Sequence, residues 1–60
     1  MSMFKDYPDI VNVSQLSKML DINKKAAYQL LNDKKIFYLK IGRVYRIPKI
    51  SIIKFINESQ

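Results

Sequence analysis

The chain has 60 residues, no cysteine and no histidine, and its 11 basic and 5 acidic side chains give a net charge of +6. A chain of this length forms one small domain. Without cysteine or histidine it lacks the usual zinc ligands, the commonest general base and the usual activated nucleophile pairs. We therefore expect that it is not an enzyme and that it holds no metal or other cofactor.

The composition also limits where the chain works. Hydrophobic residues make up 48% of the sequence, which is too apolar for a disordered basic tail. No apolar run approaches the roughly 20 residues that a membrane-spanning helix needs. The first residues lack the basic-then-apolar order of a signal peptide. We expect a folded cytoplasmic protein that does not contact a membrane.

The segment Val13–Leu20 opens the first predicted helix. Leu16, Met19 and Leu20 are spaced i, i+3, i+4 and form one apolar stripe. Ser14 is the expected N-cap, because its hydroxyl can accept a hydrogen bond from an unpaired N–H of the first turn.

A second helix is predicted from Lys24 to about Asp33, with Asn23 as its N-cap. A break of about three residues separates the two helices, as in a helix-turn-helix. At 100° per residue the core face holds Ala27, Leu30 and Leu31, and the outward side holds Lys24, Lys25, Tyr28, Gln29 and Asn32. Amides can pair with adenine, and lysine can reach guanine or phosphate. Any exposed helix face is polar, however, so this face alone decides nothing.

After the second helix the pattern changes to alternation, which predicts two strands around the turn Gly42-Arg43. We expect Leu39, Ile41, Tyr45 and Ile47 to face the core. The outward side chains are then Lys40, Arg43 and Arg46. The tip of this hairpin, called the wing below, is therefore basic.

A third helix is predicted beyond Pro48, with a core stripe of Ile52, Phe55 and Ile56. Ile50 and Ile53 lie off that stripe and form extra apolar surface. Either the N-terminal side chains of Met3, Phe4 and Tyr7 cover them, or they contact a protein partner or a neighbouring copy on DNA.

The positive charge falls on the elements that could meet DNA. Residues 24–54 carry nine basic side chains against one acidic side chain, a net charge of +8. This concentration indicates a polyanionic partner, although a solvated lysine-rich surface has the same composition. Its position on the second helix and the hairpin favours nucleic acid.

The order of elements predicts a mainly α fold with a β-hairpin wing, a small winged helix-turn-helix in residues 10–57. Residues 1–9 form an N-terminal tail, and residues 58–60 form the C-terminal end. The candidate DNA-contacting residues are Lys24, Lys25, Tyr28, Gln29, Asn32, Lys40, Arg43 and Arg46.

Several motifs carry a resemblance to a known family: Val-Ser-Gln-Leu-Ser-Lys-Met-Leu at 13–20, Leu-Lys-Ile-Gly-Arg at 39–43 and Tyr-Arg-Ile-Pro at 45–48. The stretch 13–56 resembles the excisionase-type helix-turn-helix family, which is related to the DNA-binding domain of MerR-type regulators. Members bind and bend duplex DNA and assist a recombinase in excising a phage or another mobile element. Some members regulate transcription instead.

The resemblance also implies roles for individual residues. Lys24, Lys25, Tyr28 and Gln29 match the recognition-helix positions of the family. Arg43 and Arg46 match its wing arginines. The resemblance implies double-stranded DNA and a recombinase as the partners of this protein. The apolar surface at Ile50 and Ile53 adds a second copy on DNA as a further partner. A transcriptional regulator of a mobile element, a protein-interaction module that uses the apolar third helix, and an RNA-associated protein remain alternatives.

Lys34 departs from the family pattern, because glycine is usual after the second helix. If Lys34 takes the left-handed conformation that glycine adopts there, Lys34→Gly should stabilise the fold. Asn32 could take that conformation instead, because asparagine tolerates positive φ.

Overall fold

The computed structural model describes residues 4–58. It contains, in chain order, β1 (Ile10–Val11), α1 (Val13–Leu20), α2 (Lys24–Asn32), β2 (Leu39–Ile41), β3 (Val44–Pro48) and α3 (Lys49–Glu58). Helices α1 and α2 form the helix-turn-helix, β2 and β3 form the wing, and α3 closes the domain. The predicted small winged helix-turn-helix is confirmed.

Helix α1 begins at Val13, two residues before the start that Ser14 as the N-cap would give, because Asn12 is its N-cap. The Gln15 backbone N–H donates to Asn12 Oδ1 at 2.8 Å, and the Asn12 N–H donates to Gln15 Oε1 at 2.9 Å. This reciprocal pair is a capping box. Ser14 lies inside the first turn, where its helical backbone prevents it from acting as the cap, so that prediction was wrong.

The predicted N-cap of α2 is confirmed, because Asn23 Oδ1 accepts from the Ala26 N–H at 2.8 Å. At the other end, Lys34 takes a left-handed φ of 61°. The Lys35 N–H donates to the Leu30 carbonyl at 3.0 Å, and the Lys34 N–H donates to a carbonyl of the last turn. These two bonds are a Schellman motif. Lys34, and not Asn32, is therefore the left-handed residue after α2.

The turn between α1 and α2 ends the first helix in the same way. Asp21 has φ 55°, and the Ile22 N–H donates to the Ser17 carbonyl at 2.9 Å. With Asn23 following as the cap of α2, Asp21-Ile22-Asn23 pairs with free backbone groups at both helix ends. The angle between the two helices is thus held by local hydrogen bonds as well as by packing.

The core draws on every element except β2. Its buried side chains are Val11, Val13, Leu16, Ala27, Leu31, Ile36, Ile47 and Ile52. The predicted core face of α2 is confirmed, with Leu30 half-buried beside Ala27 and Leu31. Since β2 contributes no buried side chain, the wing is attached to the domain through β3.

Strand β3 lies in the middle of a three-stranded antiparallel sheet of order β1-β3-β2. The sequence did not predict β1, which is only two residues long and pairs Ile10 with Pro48 and Val11 with Ile47. Two residues are too short for alternation to be recognised. This short pairing ties the beginning of the domain to the base of the wing.

The wing has the predicted turn, but the predicted inward face of β2 was wrong. The two-residue turn places Ile41 opposite Val44, Lys40 opposite Tyr45 and Leu39 opposite Arg46. Tyr45 lies on the same face of β3 as the fully buried Ile47, so Lys40 shares that face. Leu39 and Ile41 therefore point outward and are 51% and 65% exposed.

Helix α3 packs as predicted, with Ile52 buried and Phe55 and Ile56 half-buried against the core. Ile50, however, is 72% exposed, so Phe4 and Tyr7 do not cover it. Ile53 is half-buried, which corrects the expectation of two exposed isoleucines.

The described part of the N-terminal segment is fastened to the first turn of α3. Phe4 and Tyr7 are half-buried against the core. Lys49 Nζ donates to the Phe4 and Tyr7 carbonyls at 3.3 and 3.0 Å, and its backbone N–H donates to the Asp9 carbonyl at 2.7 Å. Met3, which was expected to join this cover, lies outside the described residues.

Replacing Lys34 with glycine should stabilise the protein. The left-handed φ of 61° strains a lysine but not a glycine, so we expect a gain of up to about 1 kcal/mol and a melting temperature raised by about 4–8 °C. Thermal unfolding followed by circular dichroism measures this. Lys35→Gly is the matched control, because Lys35 does not have a positive φ. A lower melting temperature for Lys34→Gly would contradict the assigned end of α2.

Candidate nucleic-acid interface

The outward side of α2 presents five polar side chains to solvent. Burial of Ala27 and Leu31 on the opposite side fixes the rotation of the helix. The exposed residues are Lys24, Lys25, Tyr28, Gln29 and Asn32. Gln29 Nε2 donates to Asp33 Oδ2 at 3.4 Å, a long bond that leaves the amide oxygen free to accept. This side therefore offers two ammonium groups, two amides and a phenol in adjacent turns.

Tyr45 joins α2 to the wing. Its ring meets that of Tyr28 edge-on, with centroids 5.5 Å apart and planes at 73°. The centroid of the Tyr38 ring lies 5.2 Å from that of Tyr45, and Lys40 Nζ lies 5.0 Å from the Tyr45 centroid. Edge-on aromatic pairs and a cation over a ring are both attractive. The four side chains form a cluster, called the tyrosine cluster below, that holds the wing against α2.

The basic residues of the wing do not share one face, contrary to the sequence prediction. Lys40, Arg43 and Arg46 are all exposed. Lys40 lies on the face of Tyr45 and so belongs to the side that meets α2. Arg46 lies opposite Leu39 on the outer face. Arg43 occupies the tip beside Gly42, whose φ of 63° suits a tight hairpin turn.

A shallow groove of about 290 Å³ separates the wing from the helix-turn-helix. The first turn of α1 and its cap form one wall, and the wing forms the other. Tyr28 of α2 also lines the groove. The lining residues are Asn12, Val13, Ser14, Tyr28, Arg43, Val44 and Tyr45. The Arg43 guanidinium is the charged group among them, so the groove is largely apolar and aromatic with a cation on one wall.

The sequence prediction missed Tyr45 and Tyr38 as parts of this site. Tyr45 was assigned to the core, and it is half-buried. The sequence does contain a signal for Tyr45. A two-residue turn at Gly42-Arg43 requires Lys40 to pair with Tyr45, which places a cation beside an aromatic ring.

Residues 4–58 contain no group of three or more histidine, cysteine or carboxylate side chains that could hold a metal ion. No helix within that range has the length and apolar character to cross a bilayer.

The contact between Tyr28 and Tyr45 should appear as a coupling energy. In a double-mutant cycle of Tyr28→Leu and Tyr45→Leu, we expect an interaction of about 0.5–1.5 kcal/mol in the free energy of unfolding. Urea denaturation of the four proteins measures it. The control cycle pairs Tyr28→Leu with Phe37→Leu and should give a value near zero, because Phe37 is not part of the tyrosine cluster. Equal couplings in both cycles would mean that the ring contact does not join α2 to the wing.

Comparison with known proteins agrees with this architecture. A family described as "Helix-turn-helix domain" matches residues 10–60, which is most of the chain. No curated protein and no solved structure matches. With two capped helices three residues apart, an exposed polar second helix and a basic wing, this chain belongs to the helix-turn-helix domain family and is a DNA-binding protein.

Proposed function

We propose that this protein is an excisionase, a factor that binds and bends duplex DNA of a phage or another mobile element and directs a recombinase towards excision. The observation that carries the proposal is the tyrosine cluster, because it joins α2 and the wing into one unit that can engage adjacent parts of a duplex together. The resemblance of the wing motif to the excisionase-type, MerR-related family supports the choice among DNA-binding functions. The protein would act in the cytoplasm and without enzymatic activity.

In this proposal α2 enters the major groove. Lys25, Gln29 and Asn32 occupy the centre of its exposed side and contact base edges or phosphates. Lys24 and Tyr28 lie towards the wing and contact the backbone. A lysine can reach guanine acceptors, and an amide can pair with adenine in two hydrogen bonds.

The wing would lie along the backbone or in the minor groove beside the recognition helix. Arg43 at the tip and Arg46 on the outer face would contact phosphates or a narrow minor groove. Lys40 lies over the Tyr45 ring and would contribute charge close to α2. The helix and the wing would thus hold the duplex on both sides of one backbone strand, and an architectural role requires that the DNA bend there.

The exposed Ile50 supports a protein partner in addition to DNA. An isoleucine that is 72% exposed on the outward side of α3 is available for contact with a recombinase or with a neighbouring copy, with Ile53 beside it. A small transcriptional regulator of a mobile element would use the same DNA-binding surface and is the second candidate.

Binding to duplex DNA should weaken steeply with salt. If the basic residues of α2 and the wing neutralise about five phosphates, log Kd should change with log salt concentration by a slope of roughly 4 to 5 in magnitude. Arg43→Ala should reduce the slope by about 1 without lowering the melting temperature, because Arg43 is exposed at the tip. Fluorescence anisotropy between 50 and 200 mM salt tests both expectations. Lys18→Ala is the matched control, since Lys18 is an exposed cation on α1. A slope near zero would contradict the proposed interface.

Gln29→Ala and Lys25→Ala should relax sequence preference rather than weaken all binding equally. Each should cost about 1–3 kcal/mol on the preferred sequence if its side chain contacts a base edge. Affinities for a selected sequence and for a scrambled duplex distinguish the cases. An equal loss on both duplexes would make these residues phosphate contacts.

A gene deletion in the native host distinguishes an excisionase from a transcriptional regulator. Deleting the gene should abolish the joined junction that remains after the mobile element leaves, as measured by quantitative PCR. Restoring the wild-type gene should recover the junction, and restoring Arg43→Ala should do so only in part. An unchanged excision frequency together with altered transcript levels would favour the regulator.

A further inference from the structure

The most exposed aromatic side chain of the described residues is Phe37, which precedes β2. It is 63% exposed. Leu39 and Ile41 are exposed too, but each pairs across the wing with a residue of β3 and so helps to hold the hairpin together. Phe37 lies outside the paired strands and has no cross-strand partner in them. Its exposure therefore needs a separate explanation.

Phe37 stands between two hollows. The larger one, of about 480 Å³, is lined by Lys34, Ile36, Phe37 and Tyr38. The smaller one, of about 140 Å³, is lined by Lys35, Phe37, Ser51, Lys54 and Glu58. An apolar ridge with a hollow on each side can receive side chains that straddle it. We call this surface the Phe37 ridge.

The rim of the Phe37 ridge is positively charged. Lys34, Lys35 and Lys54 line the hollows, and Glu58 in the smaller hollow is the single carboxylate against them. A second copy of this chain, with its net charge of +6, would be repelled here. A DNA duplex would match the lysines through its phosphates, but its bases are stacked within the helix and leave no free face to pack on Phe37. Carboxylates combined with apolar side chains match both features.

We propose that the Phe37 ridge docks a segment of a protein partner that carries carboxylates among apolar side chains. The apolar side chains would enter the hollows beside Phe37. The carboxylates would lie against Lys34 of the larger hollow and Lys35 and Lys54 of the smaller one. This surface is separate from Ile50 and from the tyrosine cluster. The inference holds whether the protein directs excision or regulates transcription.

The test is an NMR titration of the ¹⁵N-labelled full chain with a synthetic 12-residue peptide of alternating glutamate and leucine. Amide shifts should change around Phe37, Lys35 and Lys54. The same peptide with glutamine in place of glutamate should bind at least about tenfold more weakly, since the charge attraction is lost. Equal binding of the two peptides would overturn the proposal. Shifts confined to the outward side of α2 would overturn it as well, because the peptide would then imitate DNA.

Two matched pairs of variants test whether the peptide binds at the Phe37 ridge. Phe37→Ser should weaken binding of the glutamate peptide about tenfold or more. Leu39→Ser, which removes another exposed apolar side chain, should change the affinity by less than about twofold. Lys54→Glu should weaken it more than Lys18→Glu, which alters the net charge equally. Melting temperatures confirm that the variants are folded. Equal effects within each pair would overturn the proposal.

The same chain is also titrated with a random duplex of 15 base pairs. Its shifts should fall on α2 and the wing tip and leave Phe37 unchanged. A shift at Phe37 as large as those on α2 would assign the ridge to DNA and overturn the protein-docking proposal. The duplex titration does not depend on the excision assay. Failure of the docking proposal can therefore be distinguished from failure of the excisionase proposal.

Discussion

The register between β2 and β3 is the constraint on which the surface of this protein depends. Ile47 is fully buried, and this fixes which face of β3 points inward. The turn at Gly42-Arg43 is only two residues long, so every residue of β2 then has its face assigned. Lys40 is placed over the Tyr45 ring, and Arg46 is placed on the opposite face. The distribution of the wing charges follows from one buried isoleucine and one tight turn.

Much of the fold could be predicted because local rules and global packing agree. Asn23 caps α2, Ile52 leads the core stripe of α3, and the turn holds the only glycine. The face of β2 could not be assigned from its own alternation, because Leu39 and Ile41 are apolar and yet point outward. The hydrophobic pattern of β2 predicts that Leu39 and Ile41 face the core, whereas the register set by the two-residue turn places them on the outer face. The register prevails because the backbone hydrogen bonds between β2 and β3 fix it. The cap of α1 was missed for a related reason, since Asn12 and Ser14 are both good caps and only the helix start separates them.

The candidate site was predictable on α2 and less so on the wing. A helix that buries Ala27 and Leu31 must expose the residues opposite, so its polar side follows from periodicity alone. The joint between Tyr28 and Tyr45 depends on how two elements far apart in the sequence meet, and no local pattern encodes that. Residues that work across elements are therefore the ones that sequence reasoning missed.

The apolar outer face of the wing has an explanation within the domain. A two-stranded hairpin is marginally stable by itself, and β2 contributes no buried side chain to the core. Ile41 opposite Val44 is a pair of β-branched side chains beside the turn, and such cross-strand pairs contribute roughly 0.2–1 kcal/mol. The pair therefore stabilises the wing at the place where the core cannot reach it. Phe37 has no such pairing role, so the stability of the wing accounts only for the exposed residues of the strands. The Phe37 ridge, like Ile50 on α3, remains an apolar surface that a partner would explain.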